Sequence, residues 1–181
     1  SYLKANEQRA LDALAEDLGK SSFEGYATEL GLVYEEINTC LKHLGRWARP
    51  RRVRTPIVHF CSTSKVYPSP LGVALVLSPW NYPVQLALVP MVDAIAAGNC
   101  VALKPSRTSV ATSGFLLEMV ASLFPPEYVF GFPGSSDMND WLLDVRWDKL
   151  FFTGSPRVGH AVMQAGARFL TRVTLELGGK S

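Results

Sequence analysis

The chain has 181 residues, about the size of one domain with its own hydrophobic core. It is 48% hydrophobic and 19% charged, and 18 basic against 16 acidic side chains leave a formal charge of +2. That balance is ordinary for a globular domain and excludes the strong positive excess of a general nucleic-acid or membrane-surface binder.

The first stretch, "SYLKANEQRALDALAEDLGK", carries Ala10, Leu11, Leu14 and Leu18 at helical spacing and has no apolar leader core, so a cytoplasmic setting is expected. A second amphipathic helix is predicted from Phe23, Ala27, Leu30, Tyr34, Ile37, Leu41 and Leu44, ending at Gly45. "RWARPRRVRTP" follows, with Arg46, Arg49, Arg51, Arg52 and Arg54 beside Trp47. It reads as a solvated linker or, alternatively, as a phosphate-holding patch. Nothing else in the chain carries a nucleic-acid motif, so no nucleic-acid partner is expected. The division predicted here is a helical segment, 1–56, packed on an α/β domain, 57–181.

From residue 57 the pattern changes. "IVHFCS" and "KVYPSP" read as short strands, and "GVALVLSP" as a strand apolar on both faces. Pro83 opens a helix through Ile95 that Gly98 closes. "CVALKP", "EYVFGF", "KLFFTG" and "RVTLEL" are further strands, separated by helices over "TSVATSGFLLEMVASLF", "SDMNDWLLDV" and "SPRVGHAVMQAGARFL". Strands alternating with helices predict a doubly wound, Rossmann-like parallel sheet with helices on both faces. The longest apolar runs are too short to span a bilayer, so no membrane segment is expected. Cys40, Cys61 and Cys100 lack any paired or metal-ligand spacing; they are expected to be free thiols, with no metal site.

Ligands of such sheets sit at the carboxyl ends of the strands, which directs attention to the residues just past each one. These are Ser78 to Asn81, Lys104 to Arg107, Thr153 to Ser155, and Glu176 to Lys180. In "GSPRVG" a strand passes into a helix whose first N–H groups can face a phosphate, although Gly154 and Gly159 can equally serve a turn and close packing. Pro156 suits the first helical turn. Lys104 is either a rim charge or a ligand, and Asn81 either a turn residue or a donor.

Together "SPWNYPVQLALVPMVDAIAAGNCVALKPS", "FFTGSPRVG" and "VTLELGGKS" resemble the aldehyde dehydrogenase superfamily, in particular its class 3 (fatty or aromatic aldehyde) branch, along the whole chain. The resemblance implies NAD(P)-dependent oxidation of a small-molecule aldehyde to an acid through a cysteine thiolate, with a homodimer as the expected assembly of the complete protein. Carried over by motif, Asn81 donates to the oxyanion and Glu176 is the general base. Lys104 and Ser106 lie at the adenosine ribose. Gly154, Ser155, Pro156, Arg157, Val158 and Gly159 face the pyrophosphate, and Trp80 borders the cofactor. Family members commonly carry Glu where Arg107 follows "KPS"; Arg suits a 2'-phosphate, which leaves NAD or NADP open. None of the three cysteines stands in the nucleophile's context. The resemblance therefore implies a cofactor-binding portion without the catalytic domain, inactive alone; a non-catalytic nucleotide-binding or structural protein is the alternative.

Overall fold

The computed structural model describes residues 2–134 and 136–179, and of 136–139 the backbone alone. Lys180 and Ser181, the end of the "GGKS" motif, lie outside the described residues.

The chain opens with α1 (Tyr2–Ala5), α2 (Glu7–Leu18) and α3 (Ser22–Gly25), followed by a π turn over Tyr26–Leu30 and α4 (Gly31–Trp47). Ala10, Leu11 and Leu14 of α2 are buried as their spacing predicts. The second predicted stripe is corrected in part: Leu30 is buried and Tyr34 and Ile37 pack against the core, as predicted. Phe23, Ala27, Leu41 and Leu44 are exposed, and the buried line is Gly25, Glu29, Leu30, Val33 and Cys40. The π turn, with its wider i→i+5 pitch, shifts the helical phase between Phe23 and Leu30, whereas Leu41 and Leu44 lie past it on α4, in phase with Tyr34 and Ile37, and are left uncovered. Gly45 lies inside α4, which continues to Trp47.

Next comes a two-stranded antiparallel ribbon, β1 (Arg51–Val53) and β2 (Ser64–Val66), with Arg51 opposite Val66. The predicted "IVHFCS" strand is a second correction, since Ile57–His59 is a 3-10 turn and Ile57, Val58 and Phe60 are exposed. The pairing segment is instead part of the arginine-rich stretch. Thr55 fixes the register by accepting a 3.0 Å bond from the Ser64 amide. Residues on both sides of the predicted boundary at 56/57 thus join in one ribbon.

The main body alternates β3 (Val73–Leu77), α5 (Gln85–Ala96), β4 (Cys100–Lys104), α6 (Val110–Leu123), β5 (Val129–Gly131), α7 (Ser136–Asp144), β6 (Lys149–Gly154), α8 (Pro156–Phe169) and β7 (Arg172–Leu177). The five strands are parallel in the order β5-β4-β3-β6-β7. The chain winds outward from β3 through β4 to β5, returns, and winds the other way through β6 to β7. The switch of direction lies between β3 and β6, where open α/β sheets bind ligands.

Side-chain alternation splits the core into two layers. Val76, Val101, Leu103, Val129 and Phe151 pack with α2, α4, α5 and α6. Leu75, Leu77, Ala102, Leu150 and Phe152 pack with Leu142 of α7 and Val162 of α8. The N-terminal helices do more than cover the first layer. Neither α5 nor α6 has a side-chain cap of its own. Asp17 accepts from the amides of Ala111 (3.1 Å) and Thr112 (2.7 Å) of α6, and Glu29 from those of Val84 (2.7 Å) and Gln85 (3.0 Å) at the start of α5. Both helix starts therefore have their orphan donors satisfied from a distant part of the chain.

Candidate functional site

The register aligns the strand ends. Leu77 is level with Lys104 on one side and Phe152 on the other, and Phe152 with Leu175. One residue further, Thr153 is level with Glu176. Ser78, one residue past Leu77, reaches the same height. Alternation puts Ser78, Thr153 and Glu176 on the α5 side of the sheet and Lys104, two residues beyond Ala102, on the α8 side. Adjacent strands are about 4.8 Å apart, so Ser78, Thr153 and Glu176 form a short polar row across the switch point. The Ser78 Oγ and Thr153 Oγ1 are buried and have no hydrogen-bond partner among the described residues. Sequence reasoning attached no role to these hydroxyls. A polar residue at each of two neighbouring strand ends was the available signal.

Lys104 is the most informative residue on the α8 side. It is 6% exposed, yet its Nζ donates to one backbone carbonyl, that of Pro105, at 3.2 Å. No carboxylate lies within 4.0 Å of it among the described residues. An ammonium has three donors, and burial without a counter-charge is costly. Desolvation, and then the nearby Arg107 guanidinium, lower its pKa. Arg107 is exposed, three residues past the strand end. Ser106 accepts from the Thr108 amide through its Oγ and from the Ser113 hydroxyl through its carbonyl, so it shapes the turn.

The start of α8 answers the question left open by the "GSPRVG" spacing. Ser155 is the N-cap, its Oγ accepting a long 3.4 Å bond from the Val158 amide, and Pro156 occupies the first turn. A Cβ on Gly159 would lie 2.8 Å from a Leu177 methyl, and one on Gly166 2.5 Å from a Val173 methyl. Gly159 therefore lets α8 pack closely on β7, and a Cβ there would push the Leu177 side chain aside. The ring of Phe152 fills the space beside Gly154, where a Cβ would approach it to 2.6 Å. Arg157 is exposed and Val158 partly buried. The resulting helix start, with its N–H groups at the carboxyl edge, favours negative charge.

Trp80 and Asn81 lie in the loop between β3 and α5, both exposed. The Asn81 carbonyl accepts from Lys20 at 3.0 Å. Glu176 is exposed on the outermost strand. The cysteines are elsewhere. Cys100 begins β4, at the opposite edge of the sheet, roughly 13 Å below Lys104 at 3.3 Å per residue. Cys40 faces Asp93 near the far end of α5, and Cys61 is exposed in the ribbon connection.

The aldehyde dehydrogenase family model matches residues 1–181. The aldehyde dehydrogenase family 3 member F1 of Arabidopsis thaliana is 42% identical over 178 residues, which is 98% of this chain and 37% of that protein. Among solved structures, the substrate-bound state of Staphylococcus aureus AldH superposes with a TM-score of 0.97 at 37% identity, over 99% of this chain and 39% of that one. A Mycobacterium tuberculosis aldehyde dehydrogenase complexed with NAD+ superposes with a TM-score of 0.87 at 26% identity, over 99% of this chain and 37% of that one. The chain thus spans less than two fifths of the length of the relatives it matches. With its sheet order, its strand-end motifs and a family match over its whole length, the chain belongs to the aldehyde dehydrogenase family.

Proposed function

We propose that this chain is the dinucleotide-binding portion of an NAD(P)-dependent aldehyde dehydrogenase, with residues 57–181 forming the binding fold and 1–56 its helical support. The observation that carries the reading is Lys104, a buried ammonium at a strand end with one carbonyl for three donors. A nucleotide ribose supplies the missing hydroxyl acceptors. The α8 start, with Gly154, Ser155 and the amides through Gly159, lies two strands away and fits a pyrophosphate. Trp80 borders the cofactor at the switch point. Arg107 stands on the adenosine side, where it suits a 2'-phosphate. Bound NAD(P)+ would supply the hydride acceptor.

The catalytic residues face the other side of the edge. Asn81 donates its carboxamide N–H to oxygen as charge develops on the attacked aldehyde carbonyl. Glu176 removes a proton from the nucleophile or from water. The attacking thiol comes from outside these 181 residues: Cys40 and Cys100 lie away from the carboxyl edge, and Cys61 is in the exposed connection of the separate β1–β2 ribbon. The chain alone therefore binds nucleotide and does not turn over aldehyde. Calorimetric titration with NAD+ and NADP+ tests the first half, and Lys104→Met should weaken both. Undiminished binding by that variant would remove the main support for the reading. Aldehyde-dependent reduction of NAD(P)+ by the isolated chain would contradict the second half.

A further inference from the structure

The Asn81 loop is held by two charged residues more than 50 positions away in sequence. Glu29, in the π turn, is fully buried. Its Oε2 accepts from the Val84 and Gln85 amides, and its Oε1 from the Lys20 Nζ at 2.7 Å. Lys20 is also buried, donates to the Asn81 carbonyl at 3.0 Å, and has its ammonium 4.0 Å from the centre of the Tyr82 ring. Beyond their mutual ion pair, every hydrogen bond these two side chains make among the described residues goes to residues 81–85.

A buried ion pair is a poor stabilising device, since desolvation offsets most of its attraction. Its value here lies in what it fixes. Asn81 sits in an exposed loop without regular structure, and an oxyanion donor is effective only if it does not reorganise as charge develops. We propose that Lys20 and Glu29 are positioning residues for Asn81. Glu29 anchors the loop where it enters α5 and Lys20 holds the Asn81 peptide itself, so the carboxamide is carried on a fixed backbone. The clamp belongs to the catalytic side of the edge. Lys104 and the α8 start, on the opposite side, do not depend on it. The inference rests on the reading of Asn81 as the oxyanion donor.

The test uses the enzyme expressed from the complete reading frame, with Lys20→Met/Glu29→Gln as the main variant, because it removes both charges together and keeps an acceptor for the α5 amides. The clamp predicts a fall in kcat of about a hundredfold, the scale of a 1 Å misplacement, with KM for NAD(P)+ changed less than about twofold. In an Asn81→Ala background the same pair should cost less than about threefold further, because the clamp acts only through Asn81. Should the double variant fail to fold by near-UV circular dichroism, Glu29→Gln alone is read by the same split. Unchanged kcat, a full multiplicative loss on top of Asn81→Ala, or KM rising in step with the fall in kcat would each overturn the clamp. If Asn81→Ala itself leaves turnover intact, the donor reading falls and takes the clamp with it. A crippled Asn81→Ala beside a normal Lys20→Met/Glu29→Gln sinks the clamp alone.

Discussion

Lys104 shows how a residue can be costly to the fold and still belong to it. Burial favours its neutral form, so its folded pKa lies below the usual 10.5. A lysine shifted in this direction carries a cost that is fully present below its folded pKa and disappears as pH rises toward the unfolded value. Lys104→Met should therefore raise Tm at pH 7 relative to the parent, with the gain shrinking as pH approaches about 10. The same variant should weaken NAD(P)+ binding about ten- to a hundredfold, the range of a charge-assisted hydrogen bond of roughly 1.5 to 3 kcal/mol. A thermal-shift series across pH beside a calorimetric titration checks both. Arg107 is exposed and has a simpler test. Arg107→Glu should lower the ratio of NADP+ to NAD+ affinity at least about tenfold, whereas an unchanged ratio means that the guanidinium does not meet the phosphate.

At the scale of elements, the N-terminal helices act through carboxylates as well as apolar surface. Asp17→Ala removes both acceptors from the start of α6 and should cost roughly 1 to 2 kcal/mol in chemical denaturation. Asp17→Asn, which keeps one acceptor oxygen, should cost less. On the other side of the same layer Glu36, Cys40 and Asp93 meet between α4 and α5. Asp93 is exposed as a whole, but its carboxyl is partly desolvated, and this, with the neighbouring Glu36 carboxylate, raises its pKa to about 6. A carboxyl raised on folding binds its proton more tightly in the native state, so stability falls as pH climbs from about 4 to about 6. Asp93→Asn should consequently gain Tm over the parent above pH 6 and show little gain below pH 4, read by thermal denaturation at fixed ionic strength. Neither contact was legible in the sequence. The α2 stripe of Ala10, Leu11 and Leu14 was, because an unbroken helix keeps one phase. In the next helical stretch Leu30, Tyr34 and Ile37 follow the apolar repeat, but a π turn leaves no mark in such a repeat, so the phase break at Phe23 and the burial of Glu29 are invisible in the sequence. The Arg51–Val53 strand was hidden for a different reason: two exposed arginines in a short ribbon give no apolar alternation, while Ile57, Val58 and Phe60 resemble a strand that has no partner.

For the whole molecule, the doubly wound sheet was readable because its central strands β3 and β4 are buried on both faces and its helices are punctuated by Pro and Gly. Strand order and register were not, since they depend on contacts between segments distant in sequence. Those two quantities give the site its sidedness, with Lys104 and the α8 start on one face and Ser78, Thr153 and Glu176 on the other. The motif residues Asn81 and Glu176 could be named from the sequence, but the Lys20 and Glu29 clamp beneath Asn81 could be found only in the fold. The central claim is that the carboxyl edge around the β3/β6 switch point holds the dinucleotide. Titrating the isotopically labelled chain with NAD+ and following backbone amide shifts tests it most directly. The account predicts saturable shifts concentrated at residues 78–81, 104–107 and 153–159, absent in Lys104→Met at the same nucleotide concentration. Shifts clustered instead on α4 around the exposed Leu41 and Leu44, or no saturable shift at millimolar NAD+ and NADP+ in a folded chain, would contradict it.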